Sequence, residues 1–226
     1  MVTRIAYQRQ LETINQYVEE SGRKLIETID LLLKVIYEQD KAAARKIIDV
    51  GRRYQKYERE METTCVQLVM MQQPVAGDWR RISAVMRIVN DIGNIARYCA
   101  EISHYAMLIA DRKEFVPVPA EIEYMFYKMR ELVVEGLLYF HTEEGEKAAE
   151  LFGQDNAVDE GFVKVRESIA ELMKKEPDHI PQYIDYLMIA KYIERIADNA
   201  TDIGDWVVYM VDAQRLVREH GATESI

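Results

Sequence analysis

Proline, which costs about 3 kcal/mol inside a helix, occurs five times in this 226-residue chain and in only three places: Pro74, the Pro117/Pro119 pair and the Pro177/Pro181 pair. Glycine is also scarce, with ten. The long intervals between are free to run as helix, and their apolar residues recur at helical spacing. Leu25, Ile29, Leu32, Leu33 and Ile36 form one such series, and Val85, Ile88, Ile92, Ile95, Cys99 and Ile102 another. No stretch sustains the period-two alternation of a strand, so no sheet is expected. The punctuation predicts six helices. They cover about 7–38, 40–72 after a tight Gln39-Asp40 turn, 78–110 with Asp78 as cap, 120–140, 144–175 and 181–217. Helices this long with short connections must lie antiparallel, which makes the fold class an all-α bundle.

The two halves echo each other. Ile92-Gly93-Asn94-Ile95-Ala96 through Ile102 shares its spacing with Ile193-Glu194-Arg195-Ile196-Ala197 through Ile203, an offset of 101 residues. Asp40-Lys41-Ala42-Ala43 echoes Glu146-Lys147-Ala148-Ala149 at an offset of 106. The expected organisation is two tandem three-helix bundles, residues 1–115 and 119–218, with the Pro117/Pro119 segment as hinge and 219–226 as a tail.

Hydrophobic residues make up 49% and charged ones 30%, enough for a sizeable core. Thirty-nine acids against 29 bases leave a net charge of −10, the wrong sign for a nucleic-acid binder. No apolar run approaches the roughly 18 residues of a membrane span, and Met1 to Gln8 carry no signal-peptide core. Cys65 and Cys99 make neither a disulfide framework nor a metal-binding pair. A reduced, cytoplasmic protein is expected.

One place concentrates charge. At about 100° per residue, Glu194, Asp198, Asp202 and Asp205 point the same way along the last helix. Ile196, Ala197, Ala200, Ile203 and Val207 take the other side. Carboxylates one turn apart repel by a few tenths of a kcal/mol per pair, and Lys191 and Arg195 offset this only in part. Asp155 and Asp159 repeat the spacing on the fifth helix. If the two helices pack antiparallel, the pairs face a common point, and oxygen-only ligands suit hard or borderline cations. The competing reading is a solvated acidic face. In the first half the strip becomes Gly93, Arg97, Glu101 and His104. Arg97 there is placed to neutralise Glu101, so the two sites are expected to be unequal.

Other chemistry is weaker. Glu101-Ile102-Ser103-His104 has the spacing of a helical di-iron ligand pair, but its only other copy, Glu176-Pro177-Asp178-His179, contains a proline. His104, His141, His179 and His220 are scattered, both cysteines read as core thiols, and no phosphate-cradling glycine loop occurs. Trp79 and Tyr209 are the aromatic candidates for a partner surface.

Tyr192-Ile193-Glu194-Arg195-Ile196-Ala197-Asp198-Asn199-Ala200, its continuation Ile203-Gly204-Asp205-Trp206, and Gln73-Pro74-Val75-Ala76-Gly77-Asp78-Trp79-Arg80 together resemble the PhoU family of phosphate-uptake regulators. The resemblance spans nearly the whole chain and implies two three-helix bundles. It implies a surface iron or zinc cluster held by acidic pairs. In the second half Glu194, Asp198, Asp202, Asp155 and Asp159 match those positions. In the first half only Glu58, Glu62, Asp91 and Glu101 remain as a weaker set, with Gly93 and Arg97 where acids would stand. The resemblance further implies a non-enzymatic adaptor between the ATPase of a phosphate-specific ABC transporter and a sensor histidine kinase. Such an adaptor keeps phosphate-starvation genes off, forms homodimers, and meets the membrane only through its partners. The alternatives are a metal-dependent hydrolase using the carboxylate strip, and a metal-free helical adaptor.

Overall fold

A computed structural model describes residues 2–72 and 75–214. It contains seven α-helices: α1 (Val2–Tyr37), α2 (Lys41–Gln72), α3 (Ala76–Ala110), α4 (Ala120–Thr142), α5 (Gly145–Glu150), α6 (Asn156–Lys175) and α7 (Ile180–Asp212). One 3-10 turn, Pro177–His179, precedes α7, and no strand occurs among the described residues. The expected tail 219–226, His220, the end of the last helix at Val217, and Gln73-Pro74 lie outside the described residues.

Where the helices differ from expectation, local chemistry explains it. The fifth helix is two, because residues 151–155 form a turn around Gly153, whose φ of +87° suits glycine. Ala148, Leu151 and Val158 keep helical spacing straight through that turn, so periodicity hides it. Asp78 is not the cap of α3. The helix begins at Ala76 with Val75 in the cap position, and Asp78 lies in the first turn, where a carboxylate favours the positive end of the helix dipole. The α1–α2 turn does use its acid: Asp40 Oδ1 accepts the N–H groups of Ala42 at 2.9 Å and Ala43 at 3.0 Å, a helix cap.

The long helices α3 and α7 make the most extensive contact and form the axis of the molecule. α2 and α1 pack on α3, and α4, α5 and α6 pack on α7. The series read from the sequence is the core: Leu25, Ile29, Leu32, Ile88, Ile92, Ile95, Cys99 and Ile102 are fully buried, as are Ile193, Ile196, Ala200 and Ile203 on α7. Burial pushes the Cys65 thiol up to about 11 and the wholly buried Cys99 higher still, so both are inert packing groups.

The proline segment between the repeats is a strap, not a hinge. The Val116 N–H donates to Gln182 Oε1 at 3.1 Å, Gln182 Nε2 donates to the Glu114 carbonyl at 2.8 Å, and the Tyr186 hydroxyl donates to the Val116 carbonyl at 3.0 Å. Arg112 adds an ion pair to the buried Asp185 at 3.0 Å. Proline breaks helix, but its neighbours' backbone groups still need partners when buried, and α7 supplies them.

Burial alone pushes the Tyr186 hydroxyl up to about 12, against about 10 in the unfolded chain. Above pH ~10 the unfolded chain has released a proton that the folded chain keeps until pH ~12. The folded state therefore loses about 1.4 kcal/mol of stability per pH unit in that window from this group. Guanidinium midpoints followed upward from pH 9 should fall accordingly, and Tyr186→Phe should flatten that limb.

Candidate functional site

The acidic strip of α7 does not lie on open surface as its spacing implied. Asp205 is 6% exposed, while Glu194, Asp198 and Asp202 are half-buried. α7 is enclosed by α3, α4, α5 and α6, so a strip opposite its apolar face still meets neighbours. Asp91, Asp155, Asp159, Asp198, Asp202 and Asp205 all take part in polar or electrostatic interactions. The solvated-face reading is wrong for Asp205, which is buried, while Glu194, Asp198 and Asp202 keep part of their exposure.

α6 runs antiparallel to α7, as the acidic pairs required. At its start Asp155 lies 3.4 Å from the Thr201 hydroxyl, which also donates to the Asp198 carbonyl at 2.9 Å. About two turns on, the Phe162 ring sits 5.1 Å from the Lys191 ammonium. Asp155 and Asp159 thus lie along the stretch of α7 that bears Glu194, Asp198 and Asp202. Lys191, three residues before Glu194, forms an ion pair with it. The Arg195 guanidinium is turned onto the rings of Tyr98 and Tyr192, at 5.9 and 5.7 Å. Thr201 was missed from sequence, whereas Lys191, expected to offset part of the carboxylate repulsion, does so through this i,i+3 pair with Glu194.

The donors have the right chemistry for a hard cation and sit on facing helices. Among the described residues, however, no three His, Cys, Asp or Glu side chains converge as a metal shell. A cation would need these carboxylates to turn toward it, with Glu194 given up by Lys191.

In the first half even the chemistry does not fit. Burial along α2 and α6 keeps a register of 104 residues: Met61, Cys65 and Leu68 pack where Val165, Ile169 and Leu172 do. The 106-residue echo read from sequence at Asp40 and Glu146 does not carry through to α6, which comes two residues sooner than that offset would place it. In the true register Gly51 replaces Asp155, and it meets Ala100 and Ala96 where Asp155 meets Thr201. Glu58 corresponds to Phe162. It accepts from Asn90 Nδ2 at 2.7 Å, and Asn94 Nδ2 donates to Asn90 Oδ1 at 3.2 Å. A Cβ at position 93 would lie 3.0 Å from Glu58 Oε2, close enough that the carboxylate would have to shift by a few tenths of an ångström, so Gly93 leaves this network undisturbed. Arg97 donates to Asn94, one turn back, and not to Glu101 as expected. Glu62 and Glu101 are exposed and Asp91 is buried. Among the described residues the first-half acids form no group of three that could hold a metal ion.

The remaining candidates resolve simply. His104 is exposed against the Tyr105 edge, His141 pairs with Glu19 and His179 with Glu176. Tyr209 is half-buried with its ring edge-on to Trp206, whereas Trp79 is exposed.

Known proteins resemble this chain over nearly its full length. A family model described as PhoU domain matches residues 18–106 and again 122–207. The chain is 26% identical over 213 residues to the phosphate-specific transport system accessory protein PhoU homolog 1 of Methanothermobacter thermautotrophicus, covering 94% of this chain and 97% of that protein. It is 23% identical over 216 residues to the corresponding homolog of Clostridium acetobutylicum, covering 95% and 98%. Its fold is shared with the crystal structure of PhoU from Pseudomonas aeruginosa, with a TM-score of 0.88 at 20% identity over 92% of this chain and 100% of that one. The phosphate transport system regulatory protein PhoU from Streptococcus pneumoniae superposes with a TM-score of 0.85 at 22% identity, covering 94% and 100%.

Proposed function

We propose, from the premise that this chain belongs to the PhoU family, that it is a regulatory accessory of a phosphate-specific transport system. The observation that carries this is the double match: two PhoU domains in tandem, at 18–106 and 122–207, in a chain its relatives cover almost end to end. Two packed three-helix repeats present large rigid faces and need no residue to make or break a bond. The activity is recognition. In this reading the protein is a cytoplasmic adaptor, acting as a homodimer, between the ATPase of the phosphate transporter and a sensor histidine kinase, and it keeps phosphate-starvation genes silent when phosphate is abundant. Deleting the gene in its host should switch on a phosphate-starvation reporter in phosphate-rich medium, and reintroducing the gene should silence it. A reporter indifferent to the deletion would refute the regulator assignment.

Within that reading, α6 and α7 hold an iron or zinc cluster through Asp155, Asp159, Asp198 and Asp202, with Glu194 released from Lys191. Such a cluster would neutralise carboxylates crowded along one helix and fix the α6–α7 spacing. Elemental analysis of purified protein should find metal in the wild type and at least about tenfold less in Asp198→Ala, the loss expected when one ligand carboxylate goes. Equal content in both removes the cluster.

A metal-free adaptor is the second reading, and the Lys191–Glu194 pair favours it, since an internal cation already serves one carboxylate of the strip. Wild type devoid of metal after growth in iron and zinc would decide for it. Turnover of phosphate esters by the metal-loaded protein would instead point to a hydrolase.

A further inference from the structure

The two repeats act as internal controls for each other, and one interior corner differs between them. A register of 104 residues relates α1 to α4 as well as α2 to α6: Val18, Leu25 and Ile29 are buried where Ile122, Met129 and Val133 are. In the second repeat this register sets the fully buried Met125 against Gly161, where a Cβ would lie 2.5 Å from Met125 Cγ. Val158, one turn before Gly161, is fully buried too. In the first repeat the same three positions are Ser21, Tyr57 and Tyr54, and Tyr17 stands where the second has Glu121. With Glu20 and Lys24 these four residues line a cleft of about 210 Å³ between α1 and α2. An adjoining cleft of about 380 Å³ shares Tyr17 and Glu20 and adds Thr13, Gln16, Glu60 and Thr64. The fold does not require tyrosines here, since the other repeat builds the corner from aliphatic side chains and glycine.

The chemistry of the cleft selects its ligand. The Tyr57 ring stands nearly perpendicular to those of Tyr17 (80°) and Tyr54 (84°), with centroids 6.1 Å apart in both pairs. Rings in crossed planes make a box, and the Tyr54 hydroxyl anchors it by donating to the Ser21 carbonyl at 2.6 Å. The enclosed Tyr17 hydroxyl, apart from a loose approach to Ser21, makes no hydrogen bond. Glu58 borders the same three rings. It is half-buried, it accepts from the neutral Asn90 amide, and among the described residues no cation pairs with it. Glu20 is already bound to Lys24 at 2.6 Å, and Glu60 lies 3.6 Å from Lys56. The charge left over is negative and lies against aromatic rings. In the second repeat Glu58 and Glu60 give way to Phe162 and Lys164, so the negative charge disappears together with the rings. A bare metal ion would need converging oxygen ligands, and no three acids converge here. A primary ammonium would need several free acceptors, and Glu20 and Glu58 already serve donors of the protein. An alkylated ammonium needs only ring faces and a nearby negative charge. We propose that this corner of the first repeat binds a small quaternary ammonium ion bearing a hydroxyl. Its methyl groups lie against the tyrosine box, Glu58 supplies the counter-charge, and its hydroxylated tail meets the polar side chains of the adjoining cleft. The site is separate from the acids of α7 and does not rest on the phosphate assignment.

Choline and ethanolamine are the probes, because they share a hydroxyethyl chain and one positive charge and differ in carrying methyl groups or N–H groups. Equilibrium dialysis of labelled choline against the full-length protein, at constant ionic strength, should show saturable binding. Ethanolamine should compete at least about tenfold more weakly. Tyr57→Phe keeps a ring and should hold choline affinity within about twofold. Tyr57→Leu should lower it at least about fivefold. Glu58→Gln, whose carbonyl oxygen still accepts from Asn90, should lower it by a similar factor at an unchanged thermal midpoint, and it decides the matter if the leucine variant does not fold. Wild type that takes up no choline overturns the proposal. Ethanolamine that competes as well as choline overturns it too, by making the carboxylates and not the rings the binding group. So does choline affinity unchanged in Glu58→Gln or in a folded Tyr57→Leu.

Discussion

Gln182→Leu should cost about 3 kcal/mol of folding stability, read as a lowered guanidinium midpoint at neutral pH. Leucine nearly fills the space of glutamine, so the loss is not a cavity. It is the removal of the one side chain that accepts the Val116 N–H and donates to the Glu114 carbonyl. Val116 is 5% exposed, and a buried N–H without a partner costs about 1–3 kcal/mol, with about 1 more for the second bond. Gln182→Glu separates the two contributions, because a carboxylate still accepts from Val116 but no longer donates to Glu114. It should fall between the wild type and the leucine variant. For a chain of this size 3 kcal/mol corresponds to about 6–12 °C in thermal midpoint. If the leucine variant unfolds at the wild-type midpoint, the strap is held by its prolines and not by α7.

Gly204→Val should be about as damaging, for the opposite reason. A Cβ at Gly204 already lies 3.0 Å from the carbonyl oxygen of Ala148 and 3.1 Å from Leu151 Cδ1. The first of these is backbone, on the short helix α5, and cannot rotate away. Valine adds two methyls in a fixed rotamer, and overpacking of this kind costs about 1–3 kcal/mol or more. The damage should be local. Amide exchange should rise in α5 and the turn around Gly153 while α1 to α3 stay protected. Gly204→Ala should be mild by comparison. Uniform loss of protection across both repeats would show that α5 is not the separate element its glycines make it.

Several features of the site were within reach of the sequence. The carboxylates of α7 share a face because 3.6 residues make a turn, and Asp155 and Asp159 reach the same stretch because short connections force antiparallel neighbours. Their exposure was not readable. Periodicity around one helix says which side is apolar, but α7 has neighbours on more than that side, so Asp205 is buried despite its polar stripe. The pairing of Arg97 also escaped, since it had Glu101 one turn ahead and Asn94 one turn behind at nearly equal reach. The Glu58–Asn90 bond across two helices settles which way that row of polar groups runs.

The sequence alone determined the helices, the duplication and the core, because these follow from local rules: where proline falls, how apolar residues recur, and what repeats after about a hundred residues. The tertiary structure decided the role of the proline segment, the break before α6 and the true register between the repeats. It decided too that Asp205 is buried while the acids before it on α7 keep part of their exposure. Those outcomes depend on which groups meet across helices far apart in the chain, and hydrogen bonding, close approach and burial are properties of such meetings that no periodicity encodes.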